Sequence, residues 1–386
     1  MLHRWMIGLF FALAGGAAWL LAFAIDRGWF EQHVAMLYLW PATPNFAVLR
    51  AVRLFLALVG GLLILAGYWL AVRSRKPPSR VSIGAAARVG LAVVGAIVVC
   101  ELCLQWYASK RPRTVNEILA QPHSRYGWIW KPSRSFALPI AGRQIRWSFN
   151  SEGIRDRSEN QRFDRRRPTI LFTGESFAAG HGLQYEETYA ALLESRLGVQ
   201  SVNLAVNGYG LDQAYLRLAD ALPDFEKPIA AVSLFLPLQL GRLLQDDKPR
   251  LVLALTGDLQ LVPAASGPFS RLRLRYIPRN QLPYSSNSDV KRALDLAAAI
   301  VHASAAAARS RGALPLFVVP SYRAARSFQQ RAEAPLADAL FTNPPVPFLF
   351  VDLDGDLLLP GDGHPSPKGA DRIATAIEQA LAGIRR

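Results

Sequence analysis

Cysteine is almost absent from this chain: Cys100 and Cys103 are the only two in 386 residues, and both fall inside an apolar run. The polar remainder therefore carries no disulfide, which is compatible with either side of a membrane. Their C-x-x-C spacing, set within an apolar helix, reads as two small packing residues rather than a metal or redox pair. Acidic residues are few, 29 against 44 lysines and arginines, for a net charge of +15. Such an excess favours anionic lipid or an acidic polymer as a neighbour. No nucleic-acid recognition motif accompanies the arginines, so no nucleic-acid partner is assigned. There is no glycine-rich phosphate loop, no internal repeat and no tryptophan after Trp147. Asp352, Asp354 and Asp356 alternate but lack the remaining spacing of a calcium loop, so neither metal nor cofactor is assigned.

Hydrophobic residues make up 51% of the chain, with the excess in residues 1–107. Three stretches there, Trp5–Ile25, Leu54–Val72 and Val89–Tyr107, each approach the roughly 20 residues that cross a hydrocarbon core of about 30 Å. The third contains Glu101 and Gln105 near its end, where Trp106 and Tyr107 suit the membrane interface. Between the second and third lie Arg73, Arg75, Lys76, Arg80 and Arg88 with no acidic partner, which predicts a cytoplasmic loop. The first loop, Asp26–Arg53, mixes both signs and is expected outside. The N-terminus is then cytoplasmic, and everything after Tyr107 lies on the far side.

Residues 108–167 read as a connecting region. Trp128, Trp130 and Trp147 alternate with polar residues and proline, suggesting short strands, with packing their favoured role and stacking on sugar rings the alternative. From 168 to 386, apolar strand runs alternate with helical periodicity. Strands are expected at Thr169–Thr173, Ser201–Leu204, Ala230–Leu236, Leu314–Val319 and Pro347–Val351. Helices are expected at Tyr185–Leu197, Asp212–Ala221, Asp289–Arg311, Ala332–Leu340 and Lys368–Ile384. This alternation predicts a parallel sheet covered on both faces, with ligands at the C-terminal strand ends. Residues 240–288 break the pattern and read as an insertion facing the substrate.

Chemistry concentrates in two segments. Gly174-Glu-Ser-Phe-Ala-Ala-Gly180-His-Gly182 places Ser176 where the first of these strands turns into a helix, so its N–H points toward a developing oxyanion. Gly361-Asp-Gly-His-Pro-Ser-Pro-Lys-Gly369 places Asp362 and His364 just before the last helix. Together they offer a nucleophile (Ser176), a general base (His364) and an orienting carboxylate (Asp362). His181, close to the nucleophile in sequence, is a candidate pocket residue.

These segments resemble the blocks of the SGNH (GDSL-like) hydrolases. The Gly-Asp-Ser block is similar to Gly174-Glu175-Ser176 with Gly180, and the final Asp–His block to Asp362-Gly-His364. The second block resembles Asn203-Leu-Ala-Val-Asn-Gly208-Tyr-Gly210, where the resemblance implies that the Gly208 N–H lines the oxyanion hole. Asn150-Ser-Glu-Gly-Ile-Arg-Asp156 is similar to a segment preceding the core in membrane-associated bacterial members. The family's third block carries an asparagine in the oxyanion hole. Here it reads Leu234-Phe-Leu-Pro-Leu-Gln239-Leu, with Leu238 at the asparagine position, and Gln239 or Asn207 is the candidate substitute.

The resemblance, over about residues 125–384, implies a flavodoxin-like three-layer α/β/α domain, and the three apolar stretches before it are expected to be transmembrane helices. Its implied activity is ester hydrolysis or O-acyl transfer on acyl (acetyl) esters of a cell-envelope glycan or related substrate. The expected location is the bacterial inner membrane, multi-pass, with the catalytic domain periplasmic. The lipid bilayer is an expected partner, and a transferase would draw on a membrane acyl-donor protein. The alternatives are a binding or assembly module for an envelope polysaccharide system with catalysis weakened or lost, and a cytoplasmic domain of the same fold acting on a small ester or thioester.

Overall fold

The computed structural model describes residues 2–26, 46–73, 83–267, 270, 272–276, 287–321 and 329–384. The basic segment 74–80 and most of the first loop, 27–45, on which the expected topology rests, lie outside the described residues. The chain forms two compact units. One comprises Met1–Leu37, Thr43–Pro112 and Gly267–Tyr284, and the other Tyr38–Ala42, Arg113–Ser266 and Ser285–Arg386.

The first unit is helical: α1 (Leu2–Ala24), α2 (Phe46–Arg73) and α3 (Ile83–Lys110). Helices α1 and α2 pack on each other through small residues; a Cβ on Gly15 would lie 2.6 Å from the Gly60 carbonyl. The Trp19 indole donates to Ala57 O at 2.9 Å and Arg53 Nε to Ala22 O at 2.8 Å. By length and composition, Leu49–Trp69, 21 residues at a mean hydropathy of 2.1, is the one helix among the described residues able to cross a membrane. The apolar part of α1, Gly8–Ala24, is shorter. Helix α3 contains Glu101, whose carboxylate accepts from the backbone N–H of Arg273 and of Leu274 and from the Gln105 amide. A buried carboxylate in an apolar helix thus has a local reason: it caps the turn Arg273–Tyr276.

The second unit opens with a short helix, α4 (Val115–Leu119), and two small antiparallel sheets. The first pairs β1 (Ala120–His123) with β2 (Gly127–Trp130). The second joins β3 (Arg134–Ile140), β4 (Arg143–Phe149) and β5 (Arg155–Asp156). Trp130 and Trp147 are fully buried against Phe149 and belong to the same hydrophobic cluster as the main sheet. Residues 113–167 therefore share the core of the α/β body.

That body comprises β6 (Thr169–Thr173), α5 (Ser176–Ala179), α6 (Tyr189–Leu197), β7 (Gln200–Asn203), α7 (Leu211–Ala221), β8 (Pro228–Leu234), α8 (Gln239–Leu243), the hairpin β9 (Arg250–Leu253) and β10 (Leu259–Val262), α9 (Asn287–Ser310), β11 (Leu314–Ser321), α10 (Gln329–Phe341), β12 (Phe348–Asp352) and α11 (Pro367–Ile384). Five strands form one parallel sheet in the order β7-β6-β8-β11-β12. Numbered by appearance this is 2-1-3-4-5, the flavodoxin-like order, whose switch point lies between β6 and β8. Every residue of β6 and β7 is buried, as a sheet covered on both faces requires. Helix α11 packs on α6 and on β12, while α9 packs on α7 and on β11.

Two element boundaries depart from expectation for local reasons. Thr188 accepts from Ala191 N–H and starts α6, which leaves Tyr185–Glu187 as a separate 3-10 turn. Strand β8 ends at Leu234 rather than Leu236, because the chain then turns into α8. Part of the expected insertion is regular: α8 and the β9–β10 hairpin belong to the α/β unit. Lys248 between them makes a buried ion pair with Asp212 on α7 at 3.0 Å. Residues 277–286 lie outside the described residues.

Candidate active site

Ser176 is the first residue of α5, on the turn leaving β6, an interior strand of the sheet. Glu175 caps that helix, its Oε1 accepting from Phe177 N–H at 3.0 Å. Only four residues later the chain leaves the helix through Gly180, in the left-handed region at φ 74°, where a Cβ would strike the Thr188 methyl at 2.4 Å. The carbonyls at that exit are gathered by Arg155, which donates to Ala179 O at 2.6 Å, Gly180 O at 2.7 Å and Leu183 O at 2.5 Å. Its guanidinium lies 3.8 Å from the centre of the Trp147 ring. Complete burial pushes the Arg155 pKa down to about 9.

His364 comes from the far end of the chain. A tight turn closes by Leu359 N–H donating to His364 O at 2.7 Å, followed by α11. Gly363, at φ 82°, lets the chain fold so tightly that Asp362 Oδ1 accepts from both the backbone N–H and Nδ1 of His364. The Asp-x-His spacing thus brings carboxylate and imidazole together without an extra residue. Burial raises the Asp362 carboxyl, but the hydrogen bond from His364 and the two neighbouring imidazoles outweigh it and hold its pKa below the ordinary value.

The two segments meet across 188 positions of sequence: His364 Nε2 lies 2.7 Å from Ser176 Oγ. On its other side the same hydroxyl donates to Glu175 Oε2 at 2.6 Å. A serine with an imidazole at hydrogen-bond distance, itself bonded to a carboxylate, is the arrangement that generates an alkoxide nucleophile.

His181 stands against His364, ring centres 4.4 Å apart, with Nε2 3.9 Å from Asp362 Oδ2. The negative Oδ2 favours a proton on Nε2, so Nδ1 accepts from Asn207 Nδ2 at 3.0 Å. Burial, and then the nearby His364, push the His181 pKa down to about 4, so it stays neutral at ordinary pH. His181 and Asn207 thus sit behind the Ser–His–Asp set.

The N–H groups of Ser176 and Gly208 have no acceptor among the described residues. The substitutes expected for the third-block asparagine make other contacts. Gln239 is completely buried, its Oε1 accepting from Leu236 N–H at 2.9 Å and its Nε2 donating to Tyr209 O at 3.2 Å. Asn207 directs its amide at His181. Leu238 packs against the core. A side chain just beyond this block that reaches the surroundings of Ser176 is Arg242, one turn after Gln239 on α8. Its Nη1 donates to Tyr209 O at 2.8 Å and lies 3.4 Å from Glu175 Oε2. The sequence reading passed over it; its only signal there was an i, i+3 relation to Gln239.

Of the tryptophans, Trp130 and Trp147 are fully buried and unavailable for stacking on a sugar. Trp128 donates from its indole to Asn207 O at 3.1 Å, and Trp130 to Ala205 O at 3.0 Å, so both brace the loop that carries Gly208. His181, Asp362 and His364 each offer a metal-ligating atom, all within 4.8 Å of one another. Two of those three are already joined in the hydrogen bond that serves Ser176.

Fold and site together define a class: a flavodoxin-like α/β protein with a Ser–His–Asp set at the sheet's switch point. No family model matches the chain, and no curated protein matches it in sequence. Among solved structures, it is similar to a member of the lipolytic protein G-D-S-L family from Veillonella parvula, at 10% identity and a TM-score of 0.30. That match covers 54% of this chain and 96% of the other. It is similar to TesA at 16% identity and a TM-score of 0.35, covering 55% and 98%. It is also similar to an acetyl xylan esterase from Butyrivibrio proteoclasticus at 12% identity and a TM-score of 0.34, covering 58% and 65%. These likenesses are distant, and the functional case rests on the geometry of the chain's own residues.

Proposed function

We propose that this chain is a membrane-anchored serine esterase or O-acyltransferase of the SGNH type. The observation that carries the reading is the 2.7 Å contact between Ser176 Oγ and His364 Nε2, with Asp362 on the opposite ring nitrogen.

In the proposed reaction Ser176 Oγ attacks the acyl carbon while His364 Nε2 takes its proton. Asp362 holds Nδ1 in the protonated tautomer and stabilises the imidazolium that forms. The Ser176 and Gly208 N–H groups receive the oxyanion of the tetrahedral intermediate. His364 returns the proton to the departing alkoxide, leaving an acyl-serine and a free alcohol. Water or a glycan hydroxyl, deprotonated by the same imidazole, then takes the acyl group and restores Ser176. Water as acceptor makes the chain an esterase and a sugar hydroxyl makes it a transferase. The envisaged substrates are acyl esters of an envelope glycan.

A bilayer partner is supported by α2 and by the exposed Leu9, Phe10, Leu13, Phe55, Leu58 and Leu91 on the helices, an arrangement unfavourable in water. Three spans, with the α/β unit outside the cytoplasm, complete the reading. Fusing topology reporters after Arg386 tests that part; activity of a cytoplasm-specific reporter alone overturns it.

The chemistry is tested on the full-length chain in detergent with a fluorophosphonate probe and p-nitrophenyl acetate, beside Ser176→Ala and His364→Ala. Labelling at Ser176, with turnover falling at least ~10^4-fold in both variants, is expected. A folded wild-type chain that takes no label and shows no turnover overturns it. Adding an acceptor saccharide and separating free acid from acylated sugar distinguishes hydrolysis from transfer.

A further inference from the structure

The proposed oxyanion hole has two backbone donors, while Leu238 is apolar and the amides of Gln239 and Asn207 bond Tyr209 O and His181. Something else has to hold the Ser176 and Gly208 N–H groups in register, because they come from different loops, after β6 and after β7. We propose that Arg242 is the positioning residue that joins these two loops and keeps a positive charge beside the oxyanion they receive. The proposal rests on the serine-hydrolase reading given above.

The contacts run without a gap from one loop to the other. Tyr209, the residue after Gly208, presents its carbonyl to two donors one helical turn apart on α8: Gln239 Nε2 at 3.2 Å and Arg242 Nη1 at 2.8 Å. The same Nη1 reaches Glu175, the residue before Ser176, at 3.4 Å. Glu175 in turn holds the Ser176 hydroxyl at 2.6 Å and the Phe177 N–H at 3.0 Å. One nitrogen of one arginine therefore stands between the neighbours of both oxyanion donors. The two distances through Glu175 Oε2 put Nη1 no more than about 6 Å from the attacking oxygen.

The surroundings make these bonds strong. The Glu175 side chain is 2% exposed and that of Arg242 22%, so water does little to screen the pair. Planarity fixes the direction of the guanidinium and its donors, which a mobile ammonium would not guarantee. Arg242 also lies along the Gly208–Gly210 turn: a Cβ built on Gly210 would sit 3.4 Å from the Arg242 Cβ. A clamp that acts through donor placement stabilises the transition state and leaves ground-state binding nearly untouched, so its signature is in kcat rather than KM. A purely structural ion pair would lower the melting temperature and leave the kinetics of the folded fraction unchanged.

The test uses the full-length chain in detergent, with wild type, Arg242→Met and Arg242→Gln. Active sites are titrated by fluorophosphonate so that rates refer to folded protein. With p-nitrophenyl acetate, kcat per labelled site is expected to fall about 10- to 100-fold in Arg242→Met, with KM within about threefold of wild type. Arg242→Gln, which keeps an N–H donor but not the charge or the reach, should fall between the two. Added guanidinium ion should restore part of the kcat in Arg242→Met and none in wild type. Wild-type kcat per labelled site in either variant overturns the clamp while the hydrolase reading stands. If Arg242→Met fails to fold, Arg242→Gln decides by the same criterion. A folded wild-type chain that is neither labelled nor active removes the hydrolase reading itself, and the clamp with it.

Discussion

The hydroxyl of Ser176 donates to Oε2 of Glu175 at 2.6 Å, so the carboxylate bonded to it belongs to the residue before it in the chain. With His364 Nε2 at 2.7 Å on the opposite side, one proton has two acceptors. Glu175 also meets Arg242, so its charge is held at the site rather than dispersed into solvent. Glu175→Gln keeps the Oε1 acceptor for Phe177 N–H but turns an N–H2 group toward Arg242. Its kcat should fall about tenfold, and the Glu175→Gln/Arg242→Met double variant should lie no more than about threefold below the weaker single. Fully multiplicative losses in that cycle would show that the two residues act separately.

Two buried groups give the fold opposing pH dependences. His181 has its pKa lowered from 6.5 to about 4, first by burial and then by His364. Its stabilising contribution is present above pH 6.5 and is lost as pH falls toward 4. Asp156 has its pKa raised from 3.8 to about 6, chiefly by burial. Its contribution is present below pH 3.8 and is lost as pH rises through 6. Asp156→Asn should therefore raise stability at pH 7 by on the order of 1–2 kcal/mol and change little at pH 3.5. His181→Asn should flatten the acid-side loss between pH 6.5 and 4. Thermal melts of the full chain across that range check both signs.

Arg155 bonds three carbonyls around the exit of the nucleophile helix and is fully buried. Arg155→Lys keeps a charge but cannot span those oxygens with one ammonium. A loss of ~3 kcal/mol or more is expected, from leaving buried carbonyls unpaired. Slower fluorophosphonate labelling of the remaining folded protein should accompany it. A melt within 1–2 °C of wild type would contradict this role.

Glu101 fixes the turn Arg273–Tyr276 on α3 by accepting two consecutive backbone N–H groups. Glu101→Ala removes both acceptors. Limited proteolysis should then cut between residues 267 and 276 several times faster, with cleavage on the sheet-bearing side of Ser266 unchanged. Equal cutting rates in the two proteins would show that the turn is held by other contacts.

Much of the architecture was legible in the chain before any coordinates. Thr169–Thr173 reads as a strand because Pro168 and Gly174 bound five apolar or β-branched residues, and β6 has those bounds. The alternation after residue 168 predicted a parallel sheet, and five parallel strands form it. Other features were hidden because they depend on contacts distant in sequence. Nothing local marks Trp130 and Trp147 as core; their burial follows from packing on Phe149 and on the loop after β7. Gln239 and Asn207 have the amide chemistry an oxyanion hole uses, and only their actual partners remove them from that role. Glu101 stands near the end of an apolar run, and nothing local names the Arg273 and Leu274 N–H groups as its partners.

The sequence by itself determined the candidate reactive groups. A serine follows a strand, an Asp-Gly-His precedes the last helix, and the early apolar runs set the first 107 residues apart, because each of these is a local pattern of side-chain chemistry and hydrophobic period. Only the tertiary structure decided which groups meet. Strand order 2-1-3-4-5 brings residues 176 and 364 to one edge of the sheet, and the tight turn at Gly363 aims Asp362 at the correct imidazole nitrogen. The short helix α8 delivers Arg242 to Glu175 and Tyr209. The physical reason is that hydrogen-bond direction and burial depend on which distant backbone closes around a side chain, and no one-dimensional pattern specifies that closure.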